Sequence, residues 1–194
     1  MTTRRPRLAT LLLACGVAHA EGPRLGVELE REKDRTTRAA SNQVSLEPGW
    51  DFAKDAVIDR AELLIQRTRD AQPDNDGDHA RKTRVFARLR HSGKLTEALT
   101  YYVRGGVGRS FNSERDFTYG YVEPGLTYEL GRWEWTFGWR AMDALHGVDG
   151  RRSRKIITGP SYNVDVRNEI ELRYTRTSGD ERSHSWGVAY VRKF

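Results

Sequence analysis

The chain has 194 residues, 33 of them basic and 27 acidic, for a net charge of +6. Its single cysteine, Cys15, lies in an apolar N-terminal run, so the rest of the chain can hold no disulfide, thiolate metal centre or cysteine nucleophile. A mean hydropathy of −0.74 excludes apolar helical spans but not membrane strands, which need apolar residues on one face only.

Residues 1–20 read as a secretory signal. Arg4, Arg5 and Arg7 form the basic region, Leu8 to Val17 the apolar region, and Ala18-His19-Ala20 a small-residue cleavage site. Ten apolar positions are too few for a transmembrane helix, which needs about 20. Leu12-Leu13-Ala14-Cys15-Gly16 also fits a lipobox with Cys15 as lipidation site, and Thr3-Arg4-Arg5 a twin-arginine signal. Removal of residues 1–20 leaves 30 basic against 27 acidic residues, a net of +3, and with it goes the case for a nucleic-acid partner. The mature part, 21–194, is long enough for one domain.

Period-2 alternation runs through that part, and helical periodicity does not persist. It predicts ten strands: 25–33, 42–51, 56–68, 82–91, 95–108, 117–130, 132–142, 154–163, 165–176 and 184–194. One face of each is apolar. Val44, Leu46 and Trp50 share a phase, as do Ala61, Leu63 and Ile65, then Val85, Ala87 and Leu89, then Leu99, Tyr101 and Val103. Trp133, Trp135, Phe137 and Trp139 form the strongest stripe, followed by Ile170, Leu172 and Tyr174. The last strand carries Trp186, Val188, Tyr190 and Phe194, broken by Arg192. Long polar connections (34–41, 69–81, 109–116, 143–153, 177–183) alternate with tight ones (52–55, 91–94, 131–132, 163–165). Membrane barrels have short inner turns, longer outer loops and aromatic girdles at both interfaces.

The predicted fold is therefore all-β: an antiparallel transmembrane β-barrel of ten strands after a cleaved signal peptide. Pro48, Pro124 and Pro160 each remove a ladder donor, so bulges, or a broken strand and a count of eight, are the alternatives. A strand ending on Phe194 resembles the C-terminal strand that the bacterial outer-membrane assembly machinery reads. The location that follows is the outer membrane of a Gram-negative cell. A soluble lipocalin-like barrel, with its aromatics turned inward, is the other two-faced sheet of this length.

The opposite phase carries the charge. Glu28, Glu30, Glu62, Glu134, Glu169 and Glu171 face Arg60, Arg84, Arg88, Arg90, Arg104, Arg140, Arg167 and Arg173 across a shared interior. Charges so confined must pair or stay hydrated. Two readings of the lumen stand. In one, the charges interlock into a plug, and the barrel is structural, adhesive or surface-recognising. In the other, Arg84, Arg88, Arg90 and Arg104 form a basic track in a narrow ion channel for small anionic solutes, as arginine rings do in anion pores.

Leu29-x-Arg31, Glu47-Pro48-Gly49-Trp50 and Tyr121-Val122-Glu123-Pro124-Gly125-Leu126 resemble segments of the oligogalacturonate-specific and sialic-acid-specific monomeric porins. That resemblance implies an arginine-lined barrel, twelve-stranded in the family, that admits acidic oligosaccharides and works as a monomer without a cofactor. No metal site or enzyme is expected. Asp74-Asn75-Asp76-Gly77-Asp78 starts like a calcium loop, but His79 stands at its sixth position and Val85 at its twelfth. His91-Ser92 and His184-Ser185 are adjacent pairs, which point to opposite faces of a strand. Arg151 and Arg152 are the candidate contacts to lipopolysaccharide phosphates.

Overall fold

In a computed structural model, residues 20–53, 56–70, 81–112, 116–146, 152–180 and 182–194 are described. Ten strands follow one another: β1 (Ala20–Asp34), β2 (Ala40–Phe52), β3 (Arg60–Asp70), β4 (Arg81–Lys94), β5 (Leu99–Asn112), β6 (Phe117–Leu130), β7 (Trp133–His146), β8 (Arg152–Asn163), β9 (Asn168–Gly179) and β10 (Ser183–Lys193). Each pairs antiparallel with its sequence neighbours, and β1 pairs with β10 to close the barrel. Closure leaves no free sheet edge, so the backbone is satisfied without water.

The alternation decides which side faces out. Leu46, Trp50, Leu63, Trp133, Trp135, Phe137, Leu172, Trp186 and Val188 are all exposed, while their neighbours in the other phase turn inward. An unbroken skin of this kind needs acyl chains around it. Trp133 packs tilted against Tyr162 at one rim (4.8 Å between ring centroids) and Tyr174 against Trp186 at the other (4.7 Å). Along β10, Trp186 and Phe194 are eight residues apart. At about 3.4 Å per residue and a tilt near 40°, they stand ~20 Å apart along the axis, close to the ~25 Å apolar band of such barrels.

The strands are longer than expected at the end where the odd-numbered strands finish, which we call the loop end. Those of 14 or 15 residues exceed the 9–11 that span the hydrocarbon. Much of the predicted loops 34–41, 109–116, 143–153 and 177–183 is therefore strand that continues past the bilayer. At the opposite turn end, the β2–β3 connection is 53–59, and β3, β5 and β9 start three or four residues later than predicted. Local bonding sets those starts: Leu95 and Thr96 amides donate to Leu99 O, and Val164 N to Asn168 O, which closes each turn before its strand begins.

The three strand prolines introduce no bulge. β2–β3 pairing lapses between Leu46↔Ile65 and Gly49↔Glu62, β6–β7 pairing between Val122↔Ala141 and Gly125↔Gly138, and β8–β9 pairing between Thr158↔Tyr174 and Ser161↔Glu171. Each gap resumes in the register it left. A missing donor thus costs two ladder positions on one flank, and the other flank keeps its pairing through the proline. All ten strands survive.

The signal-peptide reading covers residues 1–20, of which all but Ala20 lie outside the described residues, as do the Asp74–Asp78 segment, His79 and Arg151.

Candidate functional site: a charged lumen

Inward residues from eight of the strands, β1–β7 and β9, meet in three ion-paired groups among the described residues. The first centres on Glu62 of β3. Its carboxylate lies 3.0 Å from Arg88 of β4 and 3.8 Å from both Arg24 of β1 and Arg60 of β3. Arg88 also reaches Glu47 of β2 at 2.9 Å, and Asp51 joins Arg24 at 3.7 Å and Arg60. The second centres on Glu123 of β6, only 1% exposed. It accepts from Arg140 of β7 at 2.6 Å and from the Tyr102 hydroxyl at 3.1 Å, with Arg104 of β5 at 3.6 Å. The third joins Arg173 of β9 to Glu28 of β1 at 2.9 Å and to Glu171 at 2.7 Å.

Small residues make room for these groups. A Cβ at Gly138 would stand 2.5 Å from the Tyr102 hydroxyl, and one at Gly125 would run into the same ring. Glycine at both positions lets the phenol lie along the wall over β6 and β7 and reach Glu123. Gly49 does the same for Arg24 and Glu62, whose stems a Cβ there would meet at 3.2 and 3.0 Å.

The expected residues divide as follows. Glu28, Glu62, Glu171, Arg60, Arg88, Arg104, Arg140 and Arg173 belong to the three groups. Arg90 pairs with Asp59 at 2.7 Å at the turn end, where Ser92 also donates to Asp59. Glu134 accepts from Asn163, and Glu169 lies 3.6 Å from Lys193. Glu30 faces inward beside Glu32, which accepts from Gln43. Among the described residues, Arg84 has one long hydrogen bond, to Gln66 at 3.4 Å. Arg167 is placed differently from expectation. It lies exposed in the 164–167 turn, because Asp165 accepts from the Arg167 and Asn168 amides and holds the chain off the wall until Asn168.

Most of the basic track is ion-paired. The signs segregate along the sequence, with acids on β1 and β2 and arginines on β4, but not in space. Glu47 crosses to Arg88, Asp59 to Arg90 and Glu123 to Arg104, so three of the four track residues face a carboxylate. Sequence reading also passed over Arg24, which sits one residue before the predicted first strand but in phase with Glu28. It missed an aromatic sector of the wall as well. Leu64, Phe86, Phe117, Tyr119 and Tyr121 form a buried cluster towards the loop end, with Phe86 edge-on to Tyr119 at 4.6 Å and the Arg140 guanidinium 4.5 Å over Tyr121. The signal was available: these five sit out of phase with the lipid-facing stripes of their own strands.

A cleft at the loop end is lined by Arg84, Phe117, Tyr119, Met142, Ala144, Arg152, Ser153 and Asp180. Its volume of about 20 Å³ has room for a water or so. Arg152 is exposed and spans 3.2 Å to Asp143.

Solved structures of similar shape are membrane barrels. The β domain of the Bordetella autotransporter BrkA aligns over 89% of this chain and 99% of its own, at 11% identity and a TM-score of 0.54. This chain has the fold of an outer-membrane β-barrel. The KdgM porin in complex with oligogalacturonate is also similar (10% identity, 88% and 99% covered, TM-score 0.47), as is Neisserial surface protein A (10% identity, 89% and 96% covered, TM-score 0.44). No protein-family model matches the sequence, and no curated protein does.

Proposed function

We propose that this porin-like barrel is closed at rest. Its interlocked charges act as a structural plug, and its work is done at the loop end and on the lipid face rather than through the bore. One observation carries the reading. Glu62 and Glu123, both buried, each bridge arginines from different strands inside the barrel. Ions cannot pass buried pairs of this kind without breaking them, and breaking one exposes an uncompensated charge. Planar-bilayer recording tests it: the refolded protein is expected to show no sustained open level, and a steady current at all voltages would overturn the plug.

A second reading, a narrow path for small anionic solutes such as acidic oligosaccharides, rests on Arg84 and Lys155. Both face inward, and neither has a carboxylate within ion-pairing distance among the described residues. If current flows, Arg84→Glu should shift the reversal potential away from anions, and an unmoved potential would remove this path. Both readings are non-enzymatic and monomeric. Among the described residues no cluster of His, Cys, Asp and Glu could hold a metal. His91 bonds Val57 O and the Tyr101 hydroxyl rather than a serine.

A further inference from the structure

On the lipid-facing phase, most of the charge lies at the loop end, and in one sector it is basic. The outward residues of β1, β10, β9 and β8 begin apolar with Leu29, Val188, Leu172 and Ile156, and pass through the tilted pair Tyr174 and Trp186. One or two steps further towards the loops the same phase reads Arg31, Lys33, His184, Arg176 and Arg154. Strand pairing sets them side by side. Lys33 is opposite His184, His184 opposite Arg176, and Arg31 opposite Trp186, with Arg154 one pleat beyond the partner of Arg176.

The arginines and lysine of this row are exposed, and none has an ion pair among the described residues. The carboxylates described nearby are otherwise engaged. Asp34 accepts from the Thr36 and Thr37 amides, Asp143 pairs with Arg152, and Asp180 accepts the Arg152 amide. Arg31, Lys33, Arg176 and Arg154 thus gather four cations on neighbouring strands with His184 among them, and an anion supplied from outside would relieve their mutual repulsion. The apolar wall beside it says where the anion comes from. Tyr and Trp mark the level of the headgroups, and a row just beyond them, above a greasy surface, meets phosphate carried on a lipid.

We propose that the β8–β9–β10–β1 sector is a binding site for a phosphorylated lipid of the outer leaflet. Its phosphates would be held by Arg154, Arg176, Arg31 and Lys33, and its acyl chains would lie along Leu172, Val188 and Leu29. Phosphomonoesters offer three acceptor oxygens and match the guanidinium fork. The site goes beyond the closed-barrel reading and requires neither an open nor a plugged lumen.

Native mass spectrometry of the folded protein in detergent, titrated with diphosphoryl lipid A, tests it. Lys33→Gln/Arg154→Gln/Arg176→Gln is expected to retain the lipid at least about tenfold less well than wild type. Arg67→Gln/Arg69→Gln, which removes two exposed basic residues from the same phase of β3, should lose less than about twofold. Heat-dependent migration on gels reports that each variant is folded. Equal retention by wild type and the triple variant would overturn the site, and equal loss in the β3 variant would reduce it to general charge. Displacement of the lipid by excess inorganic phosphate would show that free phosphate, not a lipid, is the ligand. Conductance of the same triple variant reads the plug separately.

Discussion

Arg88 shows what a single interior charge is worth here. It is 4% exposed and holds Glu47 and Glu62 from two other strands. Replacing it with Met strips Glu47 of its ion pair and leaves Glu62 only its longer contacts to Arg24 and Arg60. Breaking a buried pair from one side costs about 3–5 kcal/mol. Arg88→Met is therefore expected to lower the urea midpoint of refolding in detergent, and an unchanged midpoint would mean that water solvates this part of the lumen. Asp59, outside the spanning strands, predicts a pH effect. Burial pushes its carboxyl up, but the hydrogen bonds and charge of Arg90, with Ser92 and Arg60, outweigh it and hold the group below its ordinary value. A depressed carboxyl stabilises the fold fully above its unfolded pKa, about 3.9, and that stability is lost as pH falls below it. Asp59→Asn should thus flatten the acid limb of the stability profile and leave pH 7 to 9 without slope. A variant as acid-sensitive as wild type would show that the Arg90 pair contributes nothing.

At the scale of the strand, depth in the membrane sets the cost of a change. Leu63 on β3 lies between Ala61, beside the Trp50 rim, and Arg67 near the loop end. Leu63→Arg puts a cation near the midplane and should cost about 2–4 kcal/mol, while Trp186→Arg, at the interface, should cost ~0–1 kcal/mol. Equilibrium refolding into vesicles measures both, and equal penalties would place the bilayer elsewhere on the barrel. The strands were also where the sequence was easiest to read. Alternation depends only on the pleat, so the stripes of β2, β3, β4, β7 and β9 stand as expected. Turn starts were harder, because Asp165 and Thr96 make short local bonds that override the pattern for three or four residues.

Over the whole molecule, orientation follows from the two unlike ends. The lipid-facing cations cluster at the loop end, and the other end carries Trp50, Tyr128, Trp133 and Phe194. With Cys15 the chain's sole cysteine, single-cysteine labelling is clean. A membrane-impermeant maleimide on intact cells should modify Thr37→Cys and not Val166→Cys, two exposed positions at opposite ends. The reverse labelling pattern would invert the barrel and sink the lipid site with it.

By itself the sequence determined the class of fold, the number of strands, and which face of each strand is greasy. All three follow from a period of two and from residues within a few positions of one another. Which interior charges pair with which became legible only with closure of the sheet. Arg173 and Glu28 are 145 residues apart, and Arg88 and Glu47 are 41. Pairing across such distances depends on which strands become neighbours and how far each side chain reaches across the bore. No local pattern encodes either.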